Sequence, residues 1–125
     1  MTFTHVLIAP DKFKGSLTAA DVCAAVSRGI LSEVSVDIAV CPVADGGDGT
    51  IAAAVEAGYA AVPVTASGPT GQPVQTYYAR LGDVAVVEMA DVSGLVNLPD
   101  GRLEPLAATS RGTGEVMAAA IDAGC

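Results

Sequence analysis

Between positions 45 and 50 the chain reads Asp45-Gly46-Gly47-Asp48-Gly49-Thr50, two carboxylates set among three glycines. Glycine lets the backbone come close to a ligand, and a helix starting just after such a loop offers unpaired N–H groups to an anion. A carboxylate beside them can accept a hydroxyl proton or help to hold Mg²⁺, which makes Asp45 and Asp48 candidate metal ligands as well as candidate bases. A glycine turn with two solvated aspartates fits the same pattern, and the loop taken alone leaves both readings open. It is not a GxxxxGK[ST] phosphate loop, because no lysine follows the glycines. Nor is it an EF-hand: the aspartate spacing differs and no glutamate closes it.

A second polar loop, DKFKGS, carries Asp11, Lys12, Lys14 and Ser16. Two of the six basic residues of the chain fall here, against fourteen acidic ones overall. Lysine is a suitable point charge for phosphate or carboxylate. A merely solvated loop is the competing explanation. The third candidate is Thr109-Ser110-Arg111-Gly112-Thr113-Gly114, directly before a helical pattern. Hydroxyls, an arginine and glycines at a helix start make an anion site. Ordinary N-capping by Ser110 or Thr113 accounts for the segment more simply. His5, the only histidine, reads as a packed strand residue, and no nucleophilic triad forms around it. Glu88 and Asp91 flank Met89-Ala90 at a strand end, from which they could reach a site, although surface solvation is the simpler reading.

The elements that must position these groups follow from apolar spacing. Residues 4–9 (THVLIA) form a short apolar strand stopped by Pro10. Thr18 and Asp21 match a capping box, and Val22, Val26 and Ile30 recur at the helical period, so a helix is expected to run to about Ser32. Val36, Ile38 and Val40 alternate with small or polar residues as a second strand. The glycine loop comes next, then a helix over 51–57 with Gly58 as its C′ residue. Strand–loop–helix, twice, is the pattern of a parallel sheet with right-handed crossovers. Ligands of such sheets bind at the carboxyl ends of the strands, the edge where both polar loops fall.

The pattern then changes. Strands are expected over 62–66, 74–81 and 84–89, separated by GPTGQP and by Gly82-Asp83. Such tight turns imply antiparallel neighbours. A helix follows over 113–123, with Val116, Ala120 and Ile121 on one face and Gly124 as its stop. A domain boundary is therefore placed between 64 and 65. Three short strands and one helix make a thin second domain, so the chain reads as a fragment of something larger.

Bulk composition excludes several function classes. With 125 residues, 51% of them hydrophobic, the chain is long enough for one packed domain and is not disordered. A net charge of −8 argues against nucleic acid and against a membrane surface as partners, since both call for basic faces. No run approaches the length of a transmembrane helix, and no basic segment with a long apolar stretch opens the chain as in a signal peptide. Cys23, Cys41 and Cys125 are odd in number and widely spaced, which fits a reducing cytosol. Cys23 and Cys41 read as small buried hydrophobes.

Five segments, in this order, resemble the type I glycerate kinase family: APDKFKGSLTA (9–19), PVADGGDGT (42–50), TASGPTGQPV (65–74), VVEMADVSGL (86–95) and TSRGTGEVM (109–117). The likeness spans essentially the whole chain, and five ordered segments are far more specific than any one of them. Lys12 stands where the family usually has serine, and Asp48 where glutamate is common. Asp91 and Val92 replace residues that are often small. Family members are longer and continue with a strand and a GGSATNDGG-like segment.

The resemblance implies an α/β fold in which residues 1–64 are the N-terminal part of a Rossmann-like domain. Residues 65–125 would then begin an inserted second α/β domain with antiparallel strands. It implies ATP-dependent phosphorylation of D-glycerate to 2-phosphoglycerate, with ATP and Mg²⁺ as cofactors, in the cytoplasm. Asp45, Lys14 and Asp11 would be catalytic. Ser16, Gly46, Gly47, Gly49, Thr50, Arg111, Gly112 and Thr113 would bind substrate or phosphate. The implied partners are glycerate and a nucleotide, together with a second copy in a homodimer or a separate C-terminal half. A non-catalytic anion-binding module or split-gene subunit is the alternative from another class. A flavodoxin-like domain is a third, and the antiparallel pattern after residue 60 counts against it.

Overall fold

Pro10 and Pro42 each end a short apolar stretch, and in a computed structural model of the chain, which describes residues 4–125, the first two strands stop just before them. The first three positions of the expected N-terminal domain lie outside the described residues. The chain divides into two compact units, Met1–Asp45 and Gly46–Cys125.

In the first unit, β1 (His5–Ile8) and β2 (Asp37–Val40) pair in parallel, from His5 opposite Asp37 to Ile8 opposite Val40. The helix α1 (Ala19–Glu33) makes the crossover between them. Its capping box is formed: the Thr18 hydroxyl oxygen accepts from the Asp21 amide at 3.1 Å, and the Thr18 amide donates to the Asp21 carboxylate at 3.3 Å. These bonds satisfy amides that the helix itself cannot pair. Val22 and Cys23 are buried, Ile30 is half-buried and Val26 is exposed. The expected apolar stripe is thus covered mainly in its first turn, because two strands of four residues cannot blanket a helix of fifteen.

Two expectations are corrected here. His5 is not packed: its ring is exposed and lies 3.4 Å from the Asp37 carboxylate on the paired strand. Cys41, past the end of β2, is exposed as well, so of these two cysteines only Cys23 is a buried hydrophobe.

The second unit holds α2 (Thr50–Glu56), β3 (Ala60–Ser67), β4 (Pro73–Leu81) and β5 (Val84–Val86). The short helix α3 (Ala90–Ser93), two 3-10 turns (Leu95–Asn97 and Pro99–Gly101) and α4 (Arg111–Asp122) follow. The three strands pair antiparallel in the order β3-β4-β5, as the tight turns require. β5 is shorter than the expected 84–89 because the chain leaves the sheet before α3.

The core of this unit joins Ala66, Tyr78 and Val92 to Val116 and Ala120 of α4, which packs on β3. Ile121, expected on the same face, is 67% exposed. At about 100° per residue it lies well round the helix from Ala120, beyond the stripe of Thr113, Val116 and Ala120. The helix α2 packs against β4 and β5. Those contacts group it with the antiparallel sheet and place the division of the compact units upstream of residue 64.

Candidate functional site

In the first unit, backbone pairing continues past the ends of the strands. The Cys41 amide donates to the Ile8 carbonyl at 2.9 Å and the Val43 amide to the Pro10 carbonyl at 3.1 Å. The segment leading to Asp45 therefore runs beside the segment entering the Asp11 loop, at the carboxyl edge of β1 and β2. That is where a parallel sheet presents its ligand sites. Asp11 is half-buried, and its Oδ1 accepts from the Lys12 amide at 2.6 Å.

The rest of that loop is a tight turn. The Phe13 amide donates to Leu17 at 2.9 Å, and the Ser16 and Leu17 amides donate back to Phe13. The Ser16 hydroxyl also donates to the Phe13 carbonyl, at 3.1 Å, so its proton is spent on the turn itself. Lys14 is exposed beside Gly15 in this turn, and Asp45 is exposed at the end of the unit.

In the second unit the glycine loop enters α2 through Gly49, whose φ of +100° lies in the left-handed region that favours glycine. Gly49, as the N-cap residue, has no side chain with which to cap this helix. Glu88 does so from far along the chain: one carboxylate oxygen accepts from the Gly49 amide at 2.9 Å and the other from the Ile51 amide at 3.0 Å. Glu88 is 3% exposed, which overturns its reading as a solvated surface carboxylate. A carboxylate leaves water at great cost unless hydrogen bonds replace its hydration, and a helix N-terminus supplies both the bonds and a favourable field. A further consequence concerns Thr50. Its amide and its hydroxyl both donate to the Gly47 carbonyl, at 3.2 and 2.8 Å. The Gly49 amide and the Thr50 hydroxyl, both expected to meet an anion, thus donate within the protein.

The segment before α4 is also engaged internally. Gly112 is buried where α4 crosses β3, and a Cβ built there would lie 1.7 Å from the Ser67 carbonyl oxygen and 2.8 Å from Val92 Cγ1. The Thr113 hydroxyl meets the Ser93 hydroxyl at 2.8 Å, which ties α4 to α3. Neither Ser110 nor Thr113 caps the helix through its side chain. Ser110 makes no such bond, and Thr109 Oγ1 instead accepts from the Arg111 amide at 3.2 Å. Arg111 Nε donates to Glu115 Oε1 at 2.9 Å. Glu115 in turn accepts from the Ser67 amide at 2.7 Å and from the Ser67 hydroxyl at 3.1 Å.

Hydrogen bonds from the Ser67 amide and hydroxyl, with the Arg111 guanidinium adding to them, hold the Glu115 carboxyl below its usual range. The Thr18 hydroxyl and amide lower Asp21 in the same way. A carboxylate with a depressed folded-state pKa contributes stability that is present above its unfolded pKa and is lost as pH falls through the folded value. The complete protein should therefore lose stability below about pH 4, and Glu115→Gln should flatten that loss. Melting temperatures measured from pH 7 to pH 3 check this: the gap between wild type and E115Q should close toward acid. A gap of constant size would remove the Glu115 charge from the account.

Sequence reasoning missed Ser67 and Glu115 and misread Glu88. For Glu88 a signal existed, since a carboxylate directly after the apolar run 84–87 must either face water or find donors.

The glycerate kinase family profile matches residues 6–125. The glycerate kinase of Bacillus subtilis (strain 168) is 43% identical over 123 residues, covering 95% of this chain and 32% of that protein. The glycerate 2-kinase of Escherichia coli (strain K12) is 40% identical over 124 residues, with the same shares. A crystal structure of a candidate glycerate kinase 2 from Salmonella typhimurium LT2 superposes with a TM-score of 0.82 at 41% identity, covering 98% of this chain and 34% of the other. The chain thus spans about a third of the length of the curated relatives it matches.

Proposed function

The chain belongs to the glycerate kinase family, and from that premise we propose that the complete protein phosphorylates D-glycerate at the expense of ATP, giving 2-phosphoglycerate. The observation that carries this reading is the carboxyl edge of β1 and β2, where the approach to Asp45 runs beside the approach to Asp11. The glycerate hydroxyl attacks the γ-phosphorus, the bond to the bridging oxygen breaks, and ADP leaves. Asp45 orients the hydroxyl and takes its proton, with Asp11 next in line for that role. Lys14 and Arg111 are the cations assigned to the anionic groups of the substrates. Phosphoryl transfer asks the protein mainly for positioning and for compensation of charge, which these groups can supply.

Among the described residues no group of three or more histidine, cysteine or acidic side chains is placed to hold a metal ion. Mg²⁺ would arrive on the nucleotide, since this ion keeps several waters and needs only one or two carboxylates besides the phosphates. Asp45 or Asp48 would supply such a carboxylate. Also among the described residues, no helix is long and apolar enough to cross a membrane. We assign the complete protein to the cytoplasm, as a homodimer or in company with a separate C-terminal half. Residues 1–64 would be the start of its Rossmann-like domain and 65–125 the start of the inserted one.

Incubating the complete protein with D-glycerate, ATP and Mg²⁺ and following phosphorus NMR tests the proposal. A 2-phosphoglycerate signal supports it. A 3-phosphoglycerate signal would move the attack to the other hydroxyl, and no glycerate-dependent ATP turnover would sink the kinase reading.

A further inference from the structure

By its sequence the glycine loop is a candidate for backbone amides that receive a phosphate, yet two of the amides that begin α2 are already held by a carboxylate of the protein itself. Glu88 spans the Gly49 and Ile51 amides with its two oxygens. It reaches them across 39 and 37 residues of sequence, from the link between β5 and α3. The Ile51 side chain is wholly buried and Glu88 nearly so. An isolated helix of seven residues is too short to hold its own first turn in water, so what fixes the start of α2 must come from outside it. Its N-cap residue, Gly49, has no side chain to do so. Tyr77 marks the same region: burial, followed by the Asp91 and Glu88 carboxylates, pushes its phenol above the usual range. An incoming phosphate would have to displace Glu88 to use the Gly49 amide.

We infer that Glu88 is a positioning residue for catalysis, clamping the Asp48–Thr50 end of the glycine loop so that Asp48 and Thr50 are presented in one fixed geometry. The inference rests on the kinase reading above. The clamp runs on through the fold, because the segment that bears Glu88 continues into α3, whose Ser93 meets Thr113 of α4. The loop and the segment before α4, two of the three polar segments picked out by sequence, are therefore held through one intermediary, VVEMADVSGL. Misplacing a catalytic loop by about 1 Å can cost a hundredfold in rate without touching the reacting groups.

Glu88→Gln keeps the shape of the side chain but leaves one acceptor oxygen where there were two, and removes the charge. In the complete protein, amide hydrogen exchange at Gly49 and Ile51 should speed up by at least about tenfold, since a hydrogen bond to a charged group is worth that much or more. Turnover per folded molecule should fall by about tenfold to a hundredfold while the KM for D-glycerate stays within about twofold, because the clamped end of the loop is assigned to Mg²⁺ and phosphate and not to the glycerate carboxylate. Unchanged exchange at both amides overturns the clamp. Turnover within about twofold of wild type, or a raised KM for D-glycerate at unchanged kcat, overturns its catalytic meaning. Should E88Q fail to fold, Glu88→Asp keeps the charge on a shorter stem and is read by the same quantities and the same limits. A wild-type protein inactive on glycerate would defeat the kinase reading and the catalytic part of this inference together. The exchange measurement would still decide the clamp alone.

Discussion

Asp45→Asn in the complete protein is expected to lower kcat by about 10²- to 10⁴-fold, the usual worth of a positioned general base. The melting temperature should barely move. Asp45 is exposed, and the backbone just before it is fixed by the Val43 amide on the Pro10 carbonyl, which the substitution leaves intact. Asparagine keeps the size of the side chain and a carbonyl acceptor but cannot take a proton from a hydroxyl. The substitution therefore separates orienting the nucleophile from deprotonating it. Steady-state kinetics with both substrates saturating reads kcat directly. Turnover within about threefold of wild type would remove Asp45 from the role of base. Asp11, half-buried on the same edge, would then be the residue to replace.

Gly112→Ala should be strongly destabilising. The new Cβ would lie 1.7 Å from the Ser67 carbonyl oxygen, and nothing at that point can give way cheaply. Ser67 is a strand residue whose amide and hydroxyl are both bound to Glu115 of the same helix. Val92, at 2.8 Å from the new atom, is 1% exposed and belongs to the core cluster. Relief requires α4 to lift away from β3, which breaks the Ser67–Glu115 bonds and opens the contact around Val116. Overpacking of this kind costs about 3 kcal/mol or more. Gly114, two residues on, has open space where its Cβ would go. Gly114→Ala should therefore be neutral, or stabilising by up to about 1 kcal/mol through helix propensity.

Urea unfolding of the two variants checks the pair of outcomes. A lower midpoint for G112A together with an unchanged or higher one for G114A is the expected result. If G112A instead kept its midpoint and raised the KM for a substrate, Gly112 would be a ligand-binding glycine and not a packing one.

The amino-acid sequence by itself determined the local elements of this protein and its family. The capping box at Thr18, the four-residue steps of α1, the alternation in β2 and the turns on either side of β4 all depend on residues a few positions apart. Periodicity and turn chemistry therefore find them unaided. The parallel pairing of β1 with β2 and the antiparallel order of β3-β4-β5 followed from connection lengths, which are also local. The five ordered segments carried the family assignment without any coordinates.

What only the tertiary structure decided is which side chains and amides end up covered, and by what. Glu88 looked like a solvated carboxylate because its donors, the Gly49 and Ile51 amides, lie 39 and 37 residues away. That Gly112 packs against β3 and that Thr113 meets Ser93 could not be read locally, because neither the crossing of α4 over β3 nor the Ser93 hydroxyl leaves a mark in the neighbouring residues. His5, Val26 and Ile121 carried apolar or strand patterning yet stand exposed, since a pattern names the face that could be buried and not the neighbour that must cover it. Burial and hydrogen-bond partnership are pair properties across long chain separations, and a single sequence records only one member of each pair at a time.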